Sequence, residues 1–136
     1  MKKRRGRHGA RRLLLQALYQ RQIGGHDIDE LSEQFSTYRE FLTIDADYFR
    51  AVLADVLNRT EFLDTTIDAL LDRPIVQLDP IEHAVLWVGV SELSSQADVP
   101  ASVIIDEAVE LAKEFGGQDS YRYINAVLDR ASKSLR

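Results

Sequence analysis

The chain has 136 residues, 45% of them hydrophobic and 29% charged, with no cysteine and a formal net charge of −5. That is enough chain to bury a core in one domain without metal or disulfide, and the missing cysteines exclude a thiolate nucleophile, a disulfide framework and a cysteine-ligated zinc or iron–sulfur centre. The net charge conceals an asymmetry: residues 1–25 hold eight Lys/Arg and no acid, which leaves nine Lys/Arg against all 22 Asp/Glu in the rest of the chain.

Residues 1–9 are basic and contain Gly6 and Gly9, a composition that predicts a flexible segment. From Ala10, the residues Leu13, Leu14, Ala17 and Leu18 recur at helical spacing, and Gly24-Gly25 supplies a stop. A second helix opens at Asp27, with Glu30 three residues on as a capping box, and carries Leu31, Phe35 and Tyr38 inward. A third begins near Asp45 with Phe49, Val52, Leu53, Val56 and Leu57. A fourth follows Thr60 with Leu63, Ile67, Leu70 and Leu71, ended by Arg73-Pro74. Asp79-Pro80-Ile81-Glu82 reads as cap, first helical position and box closure. The helix it starts, about 80–96, is apolar nearly all round and so belongs at the centre. Pro100 opens the next, with Ile104, Ala108, Leu111 and Phe115 inward and Gly116-Gly117 after it. The last starts near Asp119-Ser120 and presents Ile124, Val127, Leu128 and Ala131. The expectation is one all-α domain over 1–136, about seven helices in two packed halves, about 10–72 and 79–136. No apolar run, Ala84–Val90 included, is long enough to cross a bilayer, and no signal-peptide pattern follows the basic start. The expected location is the cytoplasm.

Catalytic patterns are missing. There is no HExxH, no GxSxG and no phosphate-binding loop. His8, His26 and His83 lack a local ligand partner, and Asp27, Asp29 and Glu30 read as a capped helix start. No catalytic residue, metal, cofactor or small-molecule substrate is expected. Lys2, Lys3, Arg4, Arg5, Arg7, Arg11 and Arg12 place seven cations in eleven residues. Such a cluster releases counterions from closely spaced phosphates, and arginine adds forked donors and a stacking plane. Charge alone divides evenly between an RNA contact and a solvated tail; the continuation of Arg11 and Arg12 into an apolar helix favours the contact. A second candidate is Phe115 to Tyr123, where a glycine pair precedes a helix N-terminus. There Ser120 can donate to phosphate or cap the helix, Tyr121 and Tyr123 can stack on bases, and Arg122 can hold the backbone. By itself, however, this stretch reads as a plain helix–helix turn with one tyrosine in the core. Tyr19, four residues after Leu15, is either part of a protein-binding patch or core, and Glu82 either binds a partner or only closes its box.

The stretch Arg11-Arg12-Leu13-Leu14-Leu15-Gln16-Ala17-Leu18-Tyr19 resembles the first-helix signature of the NusB family of bacterial transcription antitermination factors. So do Asp98-Val99-Pro100, Ile105 to Lys113, Phe115-Gly116, Ser120 and Tyr123 to Asp129, with Asp47-Tyr48-Phe49, Glu82 to Leu86 and Glu92-Leu93 in the middle. The resemblance spans essentially the whole chain. It implies a NusB-like fold and a non-enzymatic role: binding single-stranded boxA RNA together with NusE, a small-subunit ribosomal protein, within an RNA polymerase antitermination complex that supports ribosomal RNA transcription. It places the basic segment Lys2 to Arg12, with Asp119, Ser120 and Tyr123, on the RNA side, and Tyr19 and Glu82 on the NusE side. Trp87 and Ser91 stand where arginine and tyrosine are common in the family, and Asp106 and Ala126 replace asparagine and glycine. The alternatives are a NusB-like domain of a ribosomal RNA methyltransferase, for which the chain has no cofactor-binding domain, or a general helical nucleic-acid-binding scaffold.

Overall fold

The computed structural model describes residues 2–136, with the backbone alone at positions 2–5, 28, 39 and 40. Among the described residues there are seven α-helices, two 3-10 turns and no strand. Helix α1 spans Lys2–Gly24. It ends where Gly25 takes a φ of +72° and donates its amide to Arg21 O at 2.8 Å, a left-handed cap that only glycine adopts without cost. Helix α2 (Ile28–Ser36) is capped by Asp27, which accepts the Glu30 amide at 2.9 Å. A 3-10 turn, Arg39–Leu42, leads to α3 (Ala46–Asn58), capped by Asp45 through the Tyr48 amide. Helix α4 covers Thr60–Leu70, and a 3-10 turn, Ile75–Gln77, precedes α5 (Pro80–Ser95). Helices α6 (Ala101–Phe115) and α7 (Ser120–Leu135) close the chain.

Two sequence expectations change. The helical backbone of α1 runs through Gly6 and Gly9 rather than starting at Ala10, because both glycines serve close packing. Asp45 N donates to Gly6 O at 2.9 Å, and a Cβ at Gly9 would lie 2.7 Å from Ile44 Cγ2. The α2–α3 connection thus lies directly on the helix. At the other boundary α4 stops at Leu70, short of Arg73-Pro74, because Leu71 turns extended and Arg130 of α7 caps the end by donating to Leu70 O at 2.8 Å.

Helix α5 fulfils its composition. Residues 84–93 are buried without a break, and α1, α3, α4, α6 and α7 all pack on it. Gly89 lets α7 come close; a Cβ there would sit 2.8 Å from the Leu128 methyls. Trp87 and Ser91 each meet a carboxylate. Trp87 Nε1 donates to Asp64 at 2.7 Å, which also pairs with His83 Nε2, and Ser91 Oγ donates to Asp55 at 2.5 Å. Burial alone would raise the Asp55 carboxyl, but the bonds from Arg59 and Ser91 outweigh it and hold it below the ordinary carboxylate range.

Candidate nucleic-acid interface

Helix α1 presents one stripe to solvent. His8, Arg12, Gln16, Tyr19 and Ile23 follow one another at intervals of four, four, three and four, which keeps them on one side. The stripe begins cationic, passes through the exposed amide of Gln16 and ends in Tyr19 and Ile23, 41% and 67% exposed. Leu15, the expected companion of Tyr19, is instead core at 1%. Two neighbours flank the stripe. The α2–α3 connection lies on one side, where Gly9, Arg12, Leu13, Gln16, Tyr38 and Ile44 line a cleft of about 290 Å³. Helix α6 lies on the other, with Glu107 2.7 Å from His8 Nδ1 and Glu114 2.5 Å from Arg12.

The expected RNA-contacting cations separate into groups. The side chains of Lys2, Lys3, Arg4 and Arg5 lie outside the described residues. Arg7 sits 4.5 Å over the Tyr48 ring and 3.7 Å from Asp45. Arg12 remains 43% exposed. Arg11 is a correction: it is 3% exposed and clamps Glu92 through Nε at 2.9 and 3.2 Å and a terminal nitrogen at 2.7 Å. The Tyr48 hydroxyl donates to the same carboxylate. Burial pulls the Arg11 pKa down, but the Glu92 bond and charge outweigh it and leave it above its ordinary value. Burial, then the Glu92 charge and bond, push Tyr48 up, so it stays a neutral donor. A cation sealed this way organises α1 and cannot reach a phosphate.

The second group lies where α6 turns into α7. Gly116 lets the chain fold tightly, since a Cβ there would meet Ala112 O at 2.6 Å. Asp119 follows with a left-handed φ of 65°, exposed and without a side-chain capping bond. Ser120 is buried at 7% and donates to Glu82 Oε2 at 2.9 Å. The expected phosphate donor is therefore engaged, and the Glu82 carboxylate joins α5 to α7 instead of closing its box. Tyr123 lies under Arg73, whose guanidinium is 4.4 Å from the ring centroid, and its hydroxyl donates to Asp72 at 3.4 Å. Burial is the main cause that raises the Tyr123 pKa, so it too remains a neutral phenol. Lys113 and Arg122 flank Tyr121 in the same way, at 5.1 and 5.7 Å. Sequence reasoning missed Arg73, which is fifty residues from Tyr123, and Gln16, whose helical spacing from Arg12 was the available signal. At the far end Gln22 donates to Pro80 O at 2.8 Å, which brings the last turn of α1 against the first turn of α5. Tyr19 and Glu82 thus share one end of the molecule. Among the described residues no cluster of three or more His, Asp or Glu side chains is placed to hold a metal ion, and no helix is long and apolar enough to cross a membrane.

This arrangement pairs a basic helix start with an aromatic-and-cation turn and a half-apolar end. The NusB family model matches residues 8–133. The chain belongs to the NusB family. It is 48% identical to the transcription antitermination protein NusB of Halorhodospira halophila, an alignment covering 98% of this chain and 86% of that one. The NusB structure from T. maritima superposes with a TM-score of 0.84 at 27% identity, covering 93% of this chain and 90% of that one. A structure of antitermination factors NusB and NusE in complex with double-stranded RNA shares the fold with a TM-score of 0.83 at 24% identity, covering 96% and 98%.

Proposed function

We propose that this NusB-family chain is an RNA-binding transcription antitermination factor that takes single-stranded boxA-type RNA together with NusE and supports ribosomal RNA transcription in the cytoplasm, without catalysis of its own. The observation that carries the reading is the solvent stripe of α1, which runs from His8 and Arg12 to Tyr19 and Ile23 on one face. Its cationic start, with Arg7 beside it, suits a phosphate backbone. Tyr123 under Arg73, and Tyr121 between Lys113 and Arg122, offer ring faces with cations alongside, which suits unpaired bases and their phosphates. Asp119, exposed at the same turn, can accept from a base edge. We assign Tyr19 and Ile23, at the end that also holds Glu82, as the half-apolar surface for NusE; the solved complex of a NusB with NusE supports the choice of partner. A protein partner seated there adds its own RNA contacts, and the joined surface binds more tightly than either alone.

The test is a titration of labelled boxA-type RNA with and without NusE across a range of salt. Affinity is expected to fall linearly with salt on a log–log plot, by about 0.7 per phosphate engaged, to exceed that for the matched DNA, and to rise when NusE is added. Equal affinity for RNA and DNA, or no gain from NusE, overturns the reading.

A further inference from the structure

The four described basic side chains at the front of α1 each face a carboxylate of the body, but on unequal terms. Arg11 and Glu92 are sealed together. Arg12 and Glu114 are each 43% exposed and 2.5 Å apart, on facing helices. A carboxylate offers the guanidinium fork two oxygens in much the geometry a phosphate does. Glu114 satisfies only part of that fork: Arg12 Nε is buried and has no hydrogen-bond partner. The guanidinium lies 5.6 Å from the centroid of the Phe115 ring, a contact that favours one placement of the cation.

We infer that Glu114 occupies a phosphate position on Arg12 and competes with RNA for it, so that it sets the affinity and salt response of the interface. The inference rests on the RNA-binding reading above. When a phosphate displaces Glu114, the RNA releases a condensed cation while the freed carboxylate attracts one from solution. The exchange therefore adds less to the salt dependence than an unpaired arginine would. Glu114 lowers affinity at low salt and flattens its decline.

Two substitutions isolate this effect. Glu114→Gln removes the charge at constant shape. Asp106→Asn removes an equal charge from an exposed position of the same helix. Wild type and both variants are titrated with a short single-stranded boxA-type RNA at low and moderate salt. Glu114→Gln is expected to bind about two- to fivefold more tightly at the low-salt end, the range an exposed ion pair supports, and to steepen the log–log slope by up to about 0.7. Asp106→Asn is expected to move either quantity less, and Arg12→Gln added to Glu114→Gln to erase the gain. Equal shifts in the two single variants, an unchanged Glu114→Gln, or a gain that survives loss of Arg12 overturns the inference. A wild type that binds RNA beside an inert Glu114→Gln removes this inference alone, whereas a wild type that does not bind RNA removes both.

Discussion

The side chain that most changes the picture is Arg11. By type it belongs with the RNA-facing cations; by position it lies three and seven residues from Leu14 and Leu18, both core. That spacing was the legible sign of burial. Its partner was not legible, because Glu92 lies 81 residues away inside a helix whose all-round apolar composition gave no reason to seat a carboxylate. Removing one member of a buried pair leaves the other charge unpaired, so Glu92→Gln is expected to cost about 3 kcal/mol or more in chemical denaturation. A loss under about 1 kcal/mol would place the pair among surface ion pairs instead. Tyr48 adds a pH dependence. Its folded pKa lies above the ordinary 10.0, so the unfolded chain gives up the phenolic proton first. The stability held by the hydroxyl is complete below pH 10, the ordinary tyrosine pKa, and is lost as pH rises toward the folded value. Tyr48→Phe is expected to be less stable at neutral pH, and the two stability curves to converge as pH is raised above 10. Parallel curves would mean that Tyr48 does not titrate on unfolding.

At the scale of elements, the sequence was most readable where a single residue type dictates a local geometry. Asp27, Asp45 and Asp79 each cap the helix they precede, accepting an amide three residues on. The glycine pairs end α1 and α6 as expected. Less readable were features that depend on a distant neighbour. Gly6 and Gly9 suggested freedom, yet they admit the α2–α3 connection. The side chains that cap the carbonyl ends of α4 and α5 gave no sequence signal either. The Arg136 guanidinium donates to Leu93 O at 3.0 Å, Gln96 O at 2.8 Å and Val99 O at 2.6 Å, placing a cation at the negative end of α5 as Arg130 does for α4. Arg136→Ala is expected to destabilise the fold by about 1 kcal/mol, measured as a lowered Tm with unchanged helix content. A Tm equal to wild type would show the contacts to be unimportant in solution.

Across the whole molecule, the charge asymmetry of the sequence becomes a directional surface. The cations of α1 sit at one end of a stripe and Tyr19 with Ile23 at the other, so a transcript and a protein partner can occupy one face side by side. The tight turn before α7 was visible in its glycines, but the cation over Tyr123 emerges only when Arg73 is carried across from the α4–α5 connection. Helix α5 ties these parts together, because five other helices rest on it. Such a rod has no solvated side on which to persist after its neighbours leave. Its amide protons are therefore expected to exchange with deuterium only through global opening, at one shared slow rate, with α1 through α4 releasing in the same event as α6 and α7. Calorimetry should record a single transition, and the front of the chain could not then melt as a separate unit while the back stayed ordered.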